Sequence, residues 1–567
     1  MSGKEKRGSR PPWVGLAAAV WVELAAGSAY TFALYSHSLK SVLGLTQQQL
    51  TILGVANDIG ENVGILPGVV CNRLPPWIIL LIAGACGFFG FGALWLTLSQ
   101  TVQALPYWLL FIALCFGTNS SAWMGTGVLV INMRNFPLSR GTVAGIMKGY
   151  IGLSASVFTL VYTGALQTSS TKILLFLTLS IPIICILMMY FVRPCIPSLV
   201  DDTIERKHFL AVQISSIVLG VYLLVSTIVI EVFQLSTVIS YVSVGFMVLI
   251  ILTPVLIPLK MTLYPVHQKI PSHQNLSALS QNQSDHLTDP LIDNDDRRSP
   301  DETPLLGDFM ETDEGSDVDM LYAEGAGAVK KKRPRRGEDF SFLQAVVKAD
   351  FWLLFMSYFL AVGSGVTVLN NLAQIGISSG INDTTVLLSL FSFSNFFGRL
   401  VGGIVSEQFV RKSMLPRPFW MLLTQVLMVG IYLLFAFAPS FVLYFSTGVL
   451  GICYGVQFSV MVPTASELFG LKHFGIIYNF MLLGNPLGAI LFSTLLAGYV
   501  YDTEAAKQGG NGSSNLSCMG PNCFRLTFEV LAAVSVLASI LSTILTMRVK
   551  PVYQALYATG SFRIPRH

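Results

Sequence analysis

FFGRLVGGIVSEQFVRK, Phe396 to Lys412, closes an apolar run by gathering small residues and then leaving into a basic turn. The same form stands near the start of the chain in VGILPGVVCNR, Val63 to Arg73. In each, a glycine precedes an acid or amide by four positions: Gly403 before Glu407, and Gly68 before Asn72. Arg411 and Lys412 follow the first, and Arg73 the second. Two more pairs keep nearly this spacing, since Gly27-Ser28 answers Gly363-Ser364 and Arg140-Gly141 answers Phe474-Gly475. Offsets of 336, 335 and 334 residues for Gly27/Gly363, Gly68/Gly403 and Gly141/Gly475 point to one duplicated half. Paired membrane-embedded halves are the organisation of secondary transporters.

Working outward, 53% of residues are hydrophobic, 12% are charged, and the mean hydropathy is +0.63. These values exclude an ordinary soluble domain. Apolar runs of about 20 residues, enough to cross the hydrocarbon core as helices, recur from Trp13 to Met547. Their continuity argues for helices over the weakly alternating strands of a barrel. The first, Trp13 to Tyr35, is long for a cleaved signal core and carries Gly27-Ser28, so it reads as a span. The expectation is an all-α polytopic membrane protein with fourteen spans, from 13–36 to 524–547. Residues 1–193 form a six-helix bundle and 349–548 a second one. Between them lie an inserted two-helix hairpin (194–260), which should cover lipid-facing surface, and a polar loop (261–348) expected to be disordered. Residues 549–567 form a tail.

Charge orients this arrangement. With the N-terminus inside, eighteen Lys and Arg residues outside the long loop fall on that side, against Lys40, Lys172, Lys507 and Arg525 on the other. That bias places both termini in the cytosol. Independently, the outside segment before the last span carries sequons at Asn511 and Asn515 and a short-range cysteine pair, Cys518 and Cys523. Glycosylation and a disulfide both belong to that face. The loop holds thirteen acidic residues between Asp285 and Asp319, then KKKRPRR from Lys330 to Arg336. The basic run reads as a membrane-surface anchor. DETPLL has the form of an acidic-dileucine signal for sorting adaptors at Leu305 and Leu306, which would send the protein to vacuolar or other endomembranes; the alternative is the plasma membrane.

Six-plus-six spans with a long link, and GRLVGGIVSE before a basic turn, resemble the major facilitator superfamily, where such a motif follows the second span of each half. The first half departs from it: Asn72 stands for the acid, and LPPW replaces the basic continuation. RPPWVGLAAAVWVELAAGSAYTFALYS, QQQLTILGVANDIGENVG and MRNFPLSRGTVAGIMKGYIGLSAS are similar to the plant nodulin-like family with its nuclear-fusion-defective-type proteins. That resemblance implies a facilitator-type carrier, with a nodulin-like N-terminal region and a facilitator-like C-terminal half, and no particular substrate. It also implies that the first and fourth helix of each half line the cavity.

Polar groups inside spans are functional candidates. Glu23 and Tyr30 share a helical face at i and i+7. The implied cavity helices add Asn119, Ser120, Trp123 and Thr126, then Asn370, Asn371 and Gln374, then Tyr454 and Gln457, a mostly neutral amide-and-aromatic set for a small polar solute. Asp58 and Glu61, one turn apart in NDIGEN, form a protonatable coupling site with Lys148 as alternating partner; the competing reading makes them structural ties between helices. The small-residue stripe around Lys148 serves close packing. Gly68, Asn72, Arg73, Arg399, Gly403 and Glu407 form the gate motif, with Arg399 placed at the cytoplasmic end of its span. Gly484-Asn485-Pro486 should bend a helix. Nothing in the sequence points to catalysis, a metal, a cofactor or nucleic acid. The expected partners are the bilayer, a small solute and protons, and the expected state is a monomer. A non-transporting sensor or scaffold signalling through the loop is the alternative.

Overall fold

The computed structural model describes residues 10–102, 105–195, 202–233, 237–263, 337–381, 384–437, 442–508 and 518–558. The expectations for Leu305, Leu306, Asn511 and Asn515, and for nearly all of the long loop, lie outside the described residues. Among those described there is no strand. Within hydrocarbon only a helix satisfies the backbone polar groups of a single segment.

The first bundle contains α1 (Arg10–Ala26), a tight turn (Gly27–Thr31), α2 (Phe32–Leu43), α3 (Gln47–Asn62), α4 (Ile65–Val70), α5 (Pro76–Leu98), α6 (Tyr107–Asn135), α7 (Arg140–Gly164) and α8 (Ser170–Met188). A hairpin follows, of α9 (Asp202–Phe233), α10 (Thr237–Ile251) and α11 (Leu256–Leu263). After α12 (Phe342–Val346), the second bundle contains α13 (Ala349–Ser378), α14 (Thr384–Ser413), α15 (Pro418–Phe437), α16 (Val442–Phe469), α17 (Phe474–Leu482), α18 (Gly484–Gly488), wide turns over Ala489–Ala497, α19 (Gly498–Gln508) and α20 (Asn522–Ala558).

Local signals set the ends. Gly44 takes the left-handed conformation (φ +63°) that closes α2. Thr46 and Gln49 form a reciprocal capping box that opens α3. Among the described residues, twelve helical segments are long and apolar enough to cross a membrane. The other two of the fourteen spans are α3–α4, broken at Val63-Gly64, and α6, whose middle is TNSS (Thr118–Ser121). These two bear polar groups toward the centre of the molecule, so their low hydropathy marks the cavity wall.

The bundles meet through glycines. A Cβ on Gly68 would lie 2.6 Å from the Gly475 carbonyl, and one on Gly475 2.9 Å from that of Gly68. A Cβ on Gly403 would lie 2.5 Å from the Gly141 carbonyl, and one on Gly141 3.1 Å from that of Gly403. Gly68 corresponds by offset to Gly403, and Gly141 to Gly475. Each half therefore offers its second span to the fifth span of the other, a reciprocal contact that makes the interface self-complementary.

The hairpin departs from expectation. It does present surface to lipid, since only 28% of its most apolar window over Val238–Leu263 is buried. Yet α9 also packs on α7 and α14, where Gly220 lies against the Phe396 and Phe393 rings. Trp13 of α1 meets the His208 ring edge-on and the Phe209 ring at a tilt, with centroids 5.1 and 4.8 Å away. The hairpin thus lies along the joint between the bundles, because a glycine at 220 admits the two rings.

Candidate functional site

A narrow cavity of about 50 Å³ lies between the bundles, lined by Tyr30, Glu61, Thr126, Lys148, Arg399, Tyr478, Asn479 and Asn485 among others. Space of that size admits a water molecule. Each wall residue arrives through a local feature of its helix. The tight turn after α1 follows from Gly27 pressing on Ser154 of α7, and it turns Tyr30 into the cavity beside Glu61 and Arg399. Asn119 donates from Nδ2 to the carbonyls of Gly60 and Val63 at 2.9 and 3.0 Å, which holds the end of α3 where it breaks. Across the joint, Thr126 and Asn479 bond at 2.9–3.1 Å.

The charges are concentrated and come from both halves. Lys148 Nζ sits over the Tyr478 ring, 4.9 Å from its centre. Arg399 lies over Phe458 at 4.5 Å, donates from Nε to Asn395 Oδ1, and donates from Nη1 to the Lys148 carbonyl, both at 3.0 Å. Glu23 is fully buried behind Gly125, and neither of its carboxylate oxygens has a hydrogen-bond partner among the described residues. It lies in the field of Lys148 and Arg399, as Glu61 does. Asp58 adjoins Glu61 one turn back along α3. The repeat offset explains the asymmetry: Phe393 and Phe396 stand where Asp58 and Glu61 stand in the first half, and Arg399 stands in place of Gly64.

Between the cavity and the basic ends of the helices, a second cluster clamps the bundles. Glu407 accepts from Gly141 N and Arg417 Nη2 at 2.8 Å and from Arg411 Nε at 3.0 Å. Gly141 N belongs to the first turn of α7, whose positive dipole end favours a carboxylate. Arg417 is fully buried and also pairs with Glu467 at 2.7 Å. Arg411 further donates to the Leu138 carbonyl and to Ser139. In the pseudo-equivalent place, Asn72 accepts from Arg134 Nη2 at 2.8 Å, and Arg134 donates to the Leu471 carbonyl at 3.0 Å. An amide replaces the acid, so Arg134 is held there by uncharged acceptors in place of an ion pair. Arg73 is exposed.

Of the residues singled out in the sequence, the structure gathers Tyr30, Glu61, Thr126, Lys148 and Arg399 at the cavity, with Glu23 behind its wall and Asp58 beside Glu61. Arg399 is therefore mid-span, and not at the cytoplasmic end as expected; the buried arginine of the clamp is Arg417. Tyr454 is buried beside the cavity and donates to Asn485 at 3.3 Å. Ser120 turns away and donates to Gly117 O in its own helix. Trp123 donates to Asn119, itself occupied with the break in α3. Gln457 ties α16 to α15 through Thr424, and Asn371 ties α13 to Ser493. Asn370 and Gln374 are exposed near the far end of α13. The expected neutral cavity is in fact a charged one, because the second and fifth spans of the first half reach its centre. Tyr478, Asn479 and Asn485 were missed because they sit on a span that the first-and-fourth-helix rule passes over. Cys518 and Cys523 form a disulfide with Cα atoms 5.9 Å apart.

Paired bundles, glycine-packed joints and an enclosed polar centre define the class. The fold is that of the major facilitator superfamily. The structure matches the proton:xylose symporter XylE bound to 6-bromo-6-deoxy-D-glucose with a TM-score of 0.50 at 11% identity, covering 94% of each chain. It matches a bacterial homologue of the iron transporter ferroportin with a TM-score of 0.50 at 13% identity, covering 94% of this chain and 99% of that one. Residues 12–259 match the Nodulin-like family model, and residues 339–555 match that of the NFD4 C-terminal domain. The Arabidopsis thaliana protein NUCLEAR FUSION DEFECTIVE 4 is 27% identical over 558 residues, 96% of this chain and 90% of that one. Probable transporter MCH1 of Saccharomyces cerevisiae is 27% identical over 172 residues, 30% of this chain and 34% of that one. The chain belongs to the nodulin-like, nuclear-fusion-defective-type family, has the major facilitator fold, and is an integral multi-pass membrane protein.

Proposed function

We propose that this protein is a secondary transporter that moves a small polar solute by alternating access, with proton movement coupled through Asp58, Glu61 and Glu23. The observation that carries this reading is the buried charge cluster shared by both bundles at the cavity, next to a clamp that joins them at one end. Gathering five ionisable groups near the middle of a membrane, three of them buried and two half-buried, is unfavourable unless they serve transport or pair fully. Rocking of the bundles would part the glycine contacts together with the clamp and expose the cavity to that side. In this reading the clamp and both termini face the cytosol. The relative named a probable transporter and the symporter of similar fold support the class; neither supplies the solute.

The test is flux in proteoliposomes loaded with a pH-sensitive dye. Solute-driven proton entry is expected, and Glu61→Gln is expected to abolish it while leaving solute exchange at equal pH intact. An unchanged pH dependence in Glu61→Gln would reject the coupling role and favour the reading of Asp58 and Glu61 as structural ties. A chain lacking residues 264–336 is expected to keep its flux; a scaffold acting through that segment would show none with or without it.

A further inference from the structure

Two buried cations converge on the cavity without a carboxylate at contact distance. Lys148 and Arg399 are 5% and 2% exposed, come from opposite bundles, and both line it. Among the described residues neither takes part in an ion pair, whereas the clamp pairs its charges at 2.7–3.0 Å. Arg399 uses Nε and Nη1 on neutral oxygens, and the Lys148 ammonium has only the Tyr478 ring face as close partner. Glu23 and Glu61 supply counter-charge through space but do not contact these cations, so a direct partner is left for a ligand's acceptor oxygens. Guanidinium and ammonium groups facing one small space suit a carboxylate, with its two acceptor oxygens.

The groups facing these cations are Glu23 from α1, Glu61 from α3 with Asp58 one turn behind it, and the phenols of Tyr30, Tyr358, Tyr454 and Tyr478. With its three carboxylates ionised the cluster carries a net −1 and repels an anion. With protons on two of them it carries +1 and attracts one. Proton and anion entry therefore favour each other, as linkage requires of two ligands with a shared electrostatic site.

We propose that the solute is a small organic anion bearing a carboxylate, held between Lys148 and Arg399 and taken up with protons that neutralise Glu23 and Glu61. This rests on the transporter reading above and adds the class of solute. No bond forms or breaks; the protons reside on the carboxylates while the anion is bound.

Thermal-shift measurements on the purified full chain test the class with sodium oxalate, pyruvate and malate, against xylose, choline chloride and sodium chloride at matched ionic strength. At least one carboxylate is expected to raise the unfolding midpoint, and to do so more strongly at mildly acidic than at mildly alkaline pH. Lys148→Gln and Arg399→Gln are each expected to raise the half-saturating concentration by about 30-fold or more, while Lys148→Arg recovers most of the affinity. A shift by xylose or choline instead, no shift by any of the three carboxylates, or an unchanged shift in both glutamine variants would overturn the proposal. Should those variants fail to fold, the unmodified chain still decides: a carboxylate shift that does not strengthen as pH falls contradicts it. Carboxylate binding without flux would keep the anion site and reject the transporter; flux of sugar or choline alone would keep the transporter and reject the anion.

Discussion

Glu407 concentrates the joining of the bundles in one side chain, since it accepts from two arginines and from the first turn of α7. Replacing it by glutamine leaves Arg417 buried with half its counter-charge. Breaking such a pair by removing one partner is destabilising by about 3–5 kcal/mol. Glu407→Gln is expected to lower the thermal midpoint and to raise labelling of Cys71, which sits at the Gly475 contact, by a bulky maleimide; unaltered labelling would show that the clamp does not hold the joint shut. Glycine at the joint is a second single-residue requirement. Gly403→Ala puts a methyl against backbone and is expected to destabilise by about 1–3 kcal/mol through overpacking, whereas Gly245→Ala, with nothing within 4 Å, should leave the midpoint unchanged. These residues were legible in the sequence because close approach admits only glycine, and the duplication repeats it at a fixed offset. Arg399 was misplaced because nothing in a span's composition states how deep each residue lies.

Among the elements, the breaks do most to shape the site. Pro486 and its glycines divide the span after Phe474 into α17, α18 and a run of wide turns, as the sequence Gly484-Asn485-Pro486-Leu487-Gly488 implied. The break after α3 was less legible. Its signal is displaced to Pro67, which has no N–H for the Val63 carbonyl, and that carbonyl and the one of Gly60 are met instead by Asn119 from a helix more than fifty residues away. The inserted hairpin was legible as two spans, but its seat was not, because a lipid-facing helix and one wedged at a joint have the same apolar composition. Gly220→Leu should push the Phe396 ring off α9. It is expected to slow flux severalfold with the midpoint little changed if the hairpin rides on the moving joint, and to leave flux unaltered if the hairpin only covers lipid-facing surface.

At the scale of the whole molecule, duplication explains both what repeats and what differs. The glycine contacts repeat reciprocally, whereas the charges diverge: carboxylates Asp58 and Glu61 in one half, rings Phe393 and Phe396 in the other, and Arg399 facing them. A symmetric joint around an asymmetric charge cluster suits a rocking carrier, since the joint parts along matching faces while the solute binds one way. The most direct measurement uses Gly475→Cys, whose Cβ falls against the Cys71 sulfur, in a chain with its other unpaired cysteines changed to serine. Oxidation should join the halves covalently, as seen after cleavage between residues 264 and 336, and should stop solute-driven proton flux; reduction should restore it. Flux that continues at full rate with the halves joined would contradict alternating access by parting of this joint.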